Sequence, residues 1–318
     1  MADSLKKPDI SIVVPCLNEE ESLEMFYTNL NEVVSKLLQD KIIETSQIIF
    51  VDDGSTDSTS DILRRIACKD SKVGYIIFSR NFGKEAAMLA GLRKSQGKYS
   101  AILDADGQHP PSLILQMFPF VSSKQYDCAG AKRTRKGDSL IHKVLSHLFY
   151  GFVARIGNLK IIDGGSDFRL MSRQYVDALL ELNEYNRFSK GIFHWIGFKT
   201  KWIEYENILR TAGISKWTYF KLFSYSLNAI IMFSAKPLIF ASLFGIILSF
   251  LSSAFALFIA IRKISYSVPI DGWAFTICII LFCCGIQIFT IGILGQYISK
   301  IFEEVKHRPH YIVKEENK

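Results

Sequence analysis

Asp104-Ala105-Asp106-Gly107-Gln108-His109-Pro110-Pro111 follows the apolar run from Tyr99 to Leu103. That run shows no helical period and reads as a buried strand. Two carboxylates one residue apart at a strand end enter one crevice once the strand breaks into a loop. Carboxylates so close repel each other, and a shared cation usually holds them together. Hard oxygen ligands completed by water and a substrate phosphate suit Mg2+ or Mn2+. Gln108 adds a neutral oxygen, and Pro110-Pro111 can sit in the first turn of the next helix. A capped surface turn is the blander reading of an isolated Asp-x-Asp pair, so the stretch needs companions.

The flanking chain supplies them. Strands are expected at 9–15, 48–51, 73–78, 99–103 and 126–131, where β-branched and apolar residues cluster. A helix at 20–38 places Leu23, Phe26, Leu30, Val33, Val34, Leu37 and Leu38 on one face. Further helices are expected at 56–67, with Thr56 as N-cap, and at 85–94. Strands alternating with helices imply an α/β fold with a mostly parallel sheet covered on both faces. Ligands in such sheets bind beyond the carboxyl ends of the strands. Farther on, 139–157 reads as helical and 164–170 as a short strand or turn. Helices then run to about 198, with a strand at 201–206.

Four strand-end segments call for one explanation. Pro15-Cys16-Leu17-Asn18-Glu19 can line a flat base and offer a carboxylate to a ribose or base edge. Asp52 and Asp53 can accept hydrogen bonds from ribose hydroxyls or a uracil N–H. Arg80-Asn81-Phe82-Gly83-Lys84 brings two cations and a glycine to a helix start, a place suited to an anion. Asp104, Asp106 and Gln108 would hold a cation that bridges a diphosphate. Each has a bland alternative, an Asx turn or a solvated charge pair. A metal-bound nucleoside diphosphate accounts for all four.

The composition changes after about residue 235. Neither 237–261 nor 273–299 holds a charged residue, and each is long enough to cross a hydrocarbon core of about 30 Å. Two such runs around a short connector make a membrane hairpin. From Trp217 to Ile231 apolar residues recur at three- and four-residue steps, which gives an amphipathic helix suited to the membrane interface. Between Arg187 and Lys236 eight basic residues stand against two acidic ones, a surplus that favours anionic headgroups. No helix-turn-helix or RNA-binding signature accompanies that charge, so nucleic acid is excluded as a partner. The six cysteines show no paired framework, and the N-terminus has no apolar signal core. Together with the basic residues flanking the hairpin, this places the first ~235 residues in the cytoplasm. The expected organisation is a catalytic domain at 1–213, an interfacial helix at 214–236 and spans at 237–261 and 273–299. An extracytoplasmic connector at 262–272 joins the spans, and 300–318 forms a cytoplasmic tail.

The motifs Val13-Val14-Pro15-Cys16-Leu17-Asn18-Glu19-Glu20, Val51-Asp52-Asp53-Gly54-Ser55-Thr56-Asp57, Arg80-Asn81-Phe82-Gly83-Lys84-Glu85 and Asp104 to Pro111 come in that order. In that order the chain resembles GT-A-fold inverting glycosyltransferases. It is most similar to the membrane-anchored polyprenyl-phosphate glycosyltransferases of the bactoprenol glucosyltransferase kind, with dolichol-phosphate mannose synthases as relatives. Asp167-Phe168-Arg169-Leu170-Met171-Ser172-Arg173, Phe188 to Trp195, Gly213-Ile214-Ser215-Lys216, the two spans and Arg308-Pro309-His310-Tyr311-Ile312-Val313 extend the resemblance over nearly the whole chain. It implies that Pro15, Leu17, Glu19, Asp53 and Lys84 contact the nucleoside. Asp104 would lie near ribose and metal, and Asp106 and Gln108 would bind the metal. Arg133 and Lys143 would face phosphate, including that of the acceptor. Asp167 and Arg169 would border sugar and acceptor, and Lys216 would reach the diphosphate. Ser166 and Gly107 depart from a common Gly and a frequent Leu of the pattern.

The implied reaction joins a nucleotide sugar, UDP-glucose by preference, to a polyprenyl phosphate at the cytoplasmic membrane face, for cell-envelope glycan modification. GDP-mannose and UDP-GlcNAc remain alternative donors. The acceptor phosphate is already ionised near neutral pH and needs no strong general base. Asp167 therefore has three readings: it orients the acceptor, assists as base, or holds Arg169 in a salt bridge. His109, His142 and His147 have no visible partner set and read as structural. A processive synthase would need a Gln-x-x-Arg-Trp motif, which the chain lacks. A non-catalytic scaffold or flippase subunit would not need Asp104, Asp106, Gln108 and Lys216. Two spans are too few for a translocation path, and a homo-oligomer is expected to bury more of them.

Overall fold

The computed structural model describes residues 7–134, 162, 164–205, 230–266 and 272–317. The apolar run ending at the first motif forms β1 (Ile10–Cys16), buried at every position. It is followed by α1 (Leu23–Gln39), β2 (Ser46–Asp52), α2 (Thr59–Lys69), β3 (Val73–Phe78), α3 (Lys84–Lys94) and β4 (Tyr99–Ile102). Then come α4 (Leu113–Ser122), β5 (Cys128–Arg133), β6 (Gly165–Ser172), α5 (Arg173–Glu181), α6 (Ser189–Trp195) and β7 (Thr200–Tyr205). The chain closes with α7 (Lys236–Tyr266), α8 (Trp273–Val305) and β8 (Val313–Asn317).

The described strands form one eight-stranded sheet in the order β7-β5-β6-β4-β1-β2-β3-β8. β1 pairs in parallel with β2 and β4, β2 with β3, and β5 with β7. Three pairings are antiparallel: β4 with β6, β5 with β6, and β3 with β8. The sheet is thus parallel where the nucleotide motifs lie and mixed at its two sides. β4, β1, β2 and β3 are consecutive neighbours, so the four motif-bearing ends stand side by side at one edge of the sheet.

The core follows from the sequence periods. Ile10, Ile12 and Val14 of β1 join Ile48 and Phe50 of β2 against Leu23, Leu30 and Leu37 of α1. Full burial of such side chains is worth about 1.5–3 kcal/mol each. On α3, residues Ala86 to Leu92 are all buried, and Gly91 lies so close to β1 that a Cβ there would stand 2.2 Å from Val13. Only glycine lets that helix lie so low on the sheet.

Three expectations need correction. The second helix starts at Thr59 with Ser58 in the N-cap position. Thr56 is drawn away, because its backbone N–H donates to Asn18 Oδ1 at 2.9 Å and ties the β2 loop to the β1 loop. Pro110 and Pro111 precede α4 rather than sit in it; their carbonyls accept the amides of Leu113 and Ile114 at 3.1 and 3.0 Å. Residues after 300 are not simply a tail, since α8 continues to Val305 and β8 then extends the sheet. The expected helices at 139–157 and in most of 214–236 lie outside the described residues.

The chain divides into two compact units, one holding the sheet together with Arg308–Lys318 and one holding the long helices. In the second, α7 and α8 contain stretches of 24 and 27 residues that are long and apolar enough to cross a membrane. Their large side chains, Phe250 and Phe289 among them, are exposed, unlike those of a soluble core helix. Tyr297 of α8 donates its hydroxyl to the Ser234 carbonyl at 2.6 Å. The five cysteines described, Cys16, Cys68, Cys128, Cys283 and Cys284, are free thiols.

Candidate active site

The loop after β1 and the loop after β2 are laced together. Asn18 N–H donates to Ser55 Oγ at 2.9 Å, and Glu19 N–H to Thr59 Oγ1 at 2.9 Å. Asn18 itself has a positive φ of 55°, a conformation Asn tolerates better than most residues. Pro15 is buried in β1 and Leu17 is exposed beyond it. Glu19 accepts the Ser22 hydroxyl at 2.6 Å and so braces the start of α1.

Asp52 and Asp53 part company. Asp52 is fully buried and accepts the Ser55 amide at 2.8 Å and the Ser60 hydroxyl. That carboxylate organises the loop into α2 and is not presented to a ligand, which corrects its expected nucleoside contact. Adjacent residues leave a strand on opposite faces, so the two acids could not share one task. Asp53 accepts the Phe82 amide at 2.6 Å and the Gly83 amide at 2.9 and 3.1 Å. Burial raises its carboxyl pKa, and the two amides work against that rise. Gly54 turns the chain just after Asp53 at φ 71°, where a Cβ would meet the Arg80 backbone at 2.4 Å. Asp53 and Gly54 thus bring the β3–α3 loop down on the β2 end.

Lys84 opens α3 and is the hinge of the site. Its ammonium lies 2.7 Å from Asp104 and 2.8 Å from Asp167. Burial pulls its pKa down, but the Asp167 and Asp104 charges outweigh that and hold it well above the ordinary value. The Lys84 side chain keeps 41% of its surface exposed, so solvent screens part of the attraction. Asp167, at the start of β6, responds oppositely. Burial pushes its carboxyl up, yet Lys84, Lys190 and Arg169 bring it below the usual carboxylate value. Its ion pair is with Lys84, not the salt bridge to Arg169 that was one of its three expected readings.

Asp106 accepts the Gln108 amide at 3.0 Å, which bends the loop through Gly107 at φ 68°. Asp104, Asp106 and Gln108 therefore lie together on one short turn. Among the described residues no group of three or more His, Cys, Asp or Glu side chains could hold a metal by itself. Two carboxylates and an amide oxygen still fit a cation whose shell is completed by water and substrate phosphate oxygens. His109 is buried against Phe168 and Tyr205, with burial lowering its pKa, in keeping with a structural role.

Beside this crevice, β6 turns Arg169 into a cavity of about 230 Å³. Arg169 is 5% exposed, and its guanidinium lies 4.1 Å from the Phe193 ring centre and 4.9 Å from that of Trp202. Among the described residues its buried Nε meets no hydrogen-bond partner. Lys190 and His194 share the lining. Lys190 and the clamp in which the Ser189 amide donates to Glu85 at 2.9 Å are site features that strand and helix periods do not reveal. Their motif, Phe188 to Trp195, was the available signal. Arg133 is exposed at the end of β5. Lys143 and Lys216 lie outside the described residues.

The chain is similar to known proteins in sequence and in fold. Residues 11–180 match the family described as glycosyl transferase family 2. The chain is 40% identical to the glycosyltransferase CsbB of Bacillus subtilis (strain 168), covering 98% of this chain and 93% of that one. It is 36% identical to the bactoprenol glucosyl transferase of Shigella phage SfV, covering 96% and 98%. Among solved structures it is similar to mannosyltransferase PcManGT from Pyrobaculum calidifontis in complex with GDP-Man and Mn2+. That similarity is 15% in sequence with a TM-score of 0.47, covering 96% of this chain and 90% of that one. With its sheet in the GT-A arrangement, the chain belongs to glycosyl transferase family 2.

Proposed function

We propose that the protein transfers glucose from UDP-glucose to a polyprenyl phosphate, with inversion at the anomeric carbon. The observation that carries this reading is the bridge Asp104–Lys84–Asp167. It joins the diphosphate end of β4 to the strand that lines a cavity with two cations and aromatic walls. Such a cavity suits an anionic head on an apolar chain, which is what a lipid phosphate presents. The whole-length similarity to a bactoprenol glucosyl transferase supports the same pair of substrates.

In the reaction an acceptor phosphate oxygen forms a bond to the anomeric carbon as the bond from that carbon to the diphosphate oxygen breaks. Asp104, Asp106 and Gln108 would hold Mg2+ or Mn2+, which supplies charge stabilisation to the leaving diphosphate. A phosphate monoester carries most of its second charge near pH 7 and needs no proton removed. Asp167 pairs with the Lys84 ammonium at 2.8 Å, and orienting that cation is the role assigned to it. Arg169 and Lys190 attract the acceptor phosphate, with Arg133 and Lys143 as further cations on its approach. Lys216 meets the diphosphate.

The apolar helices hold the catalytic unit at the membrane surface, with that unit on the cytoplasmic face of the cytoplasmic membrane. A homo-oligomer would cover more of their exposed side chains. The test is a panel of UDP-glucose, UDP-GlcNAc and GDP-mannose with a polyprenyl phosphate, scored by sugar in organic-extractable lipid. UDP-glucose is expected to give the highest yield. Product from GDP-mannose alone would transfer the reading to a mannosyl donor.

A further inference from the structure

We propose that Tyr311 and Ile312, in the segment after the second apolar helix, are positioning residues for the nucleotide-sugar loop 79–83. This rests on the reading that the loop serves a nucleotide sugar. The loop has little of its own to hold it, since Ser79, Arg80 and Asn81 are exposed. What fixes it comes from both sides. From the sheet, Asp53 accepts the Phe82 and Gly83 amides. From the C-terminal segment, the Ile312 carbonyl accepts the Ser79 amide at 3.0 Å, on the first residue after β3.

The rings continue the connection. Tyr311 stacks on Phe78 with centroids 4.9 Å apart and planes 12° from parallel. Phe78 meets Phe82 edge-on at 5.8 Å and 89°. The Arg80 guanidinium covers the Phe82 ring at 4.0 Å. Arg93 of α3 reaches the Tyr311 ring at 5.8 Å. Tyr311 therefore lies one ring away from the residue whose amide Asp53 holds, and Lys84 follows two residues later. The pairing of β3 with β8 shifts register between Ile77 and Phe78, where strand gives way to loop. A segment that only completed the sheet edge would need β8 alone. The ring stack and the Ser79 bond lie beyond that strand and act on the loop.

The test uses the full-length protein with Tyr311→Ala, Tyr311→Leu and Tyr311→Phe, read by amide hydrogen exchange and by initial rates. Tyr311→Leu keeps apolar volume and carries the test if Tyr311→Ala does not fold. In both, exchange at 79–83 is expected to rise about three- to tenfold, the equilibrium shift of one lost aromatic pair. The KM for UDP-glucose rises by a similar factor, the KM for polyprenyl phosphate stays put, and amides of β1 keep their protection. Tyr311→Phe restores all of these. Unchanged exchange at 79–83 overturns the proposal, and so does an equal rise in β1 or a parallel rise in both KM values. Exchange that moves as expected in an enzyme that uses no donor in the panel would leave the positioning role standing and remove the proposed function.

Discussion

At the scale of single residues, Lys84 is the side chain on which the site turns. It holds two carboxylates from separate strands at 2.7 and 2.8 Å. Its positive charge offsets the repulsion between Asp104 and Asp167. Lys84→Met is expected to lower kcat roughly 10²–10³-fold, the usual scale for losing one preorganised charge. The check is initial-rate kinetics beside thermal unfolding; wild-type kcat in a folded Lys84→Met enzyme would remove Lys84 from this role. The motif containing Lys84 was legible in the sequence, but its partners were not. Asp167 lies 83 positions away, and nothing local signals an ion pair over that distance. Asp52 and Asp53 show the converse limit. They read as one acidic pair, whereas the two-residue period of a strand separates them and spends each on backbone amides.

At the scale of elements, β1 to β4 were legible because each is a buried apolar run ending in a distinctive loop. β8 was not, because Val313-Lys314-Glu315-Glu316-Asn317 has no alternating apolar face. It holds to the sheet edge by pairing with β3 and by charge. Glu315 bonds Arg64 through Nε and Nη2 at 3.1 and 2.8 Å and accepts the Tyr75 hydroxyl at 2.8 Å. Hydrogen bonds from Arg64 and Tyr75 push the Glu315 carboxyl down to about 2. A carboxyl depressed on folding stabilises fully above its unfolded value of about 4.3 and loses that contribution as pH falls toward 2. The C-terminal segment is therefore expected to resist limited proteolysis equally at pH 7 and pH 5. Glu315→Gln should release it at both. Release of the wild-type segment between pH 7 and 5 would contradict the assigned pair.

At the scale of the whole molecule, strand pairing constrains topology. β3 precedes the two apolar helices and β8 follows them, yet the two are neighbours in one sheet. If both apolar helices cross a membrane, as proposed, the two ends of the hairpin share one side of it, the orientation that the charge pattern and the N-terminus without an apolar signal core also favour. Ser267→Cys in the connector is expected to react with an impermeant thiol reagent on intact cells. Lys314→Cys should react only after permeabilisation, and labelling of both from outside would break the hairpin.

In the proposed reaction the turn from Asp104 to Gln108 serves transfer of sugar to a lipid phosphate. The decisive experiment follows labelled sugar from UDP-glucose into organic-extractable lipid, in membranes carrying equal amounts of wild type or Asp106→Ala. Wild type should form lipid-linked sugar in the presence of Mg2+ or Mn2+ and stop when the ion is chelated. Asp106→Ala should insert normally and form at least ~100-fold less product, the scale of a lost charge-stabilising group. Equal product from Asp106→Ala, or undiminished transfer after chelation, would contradict the account.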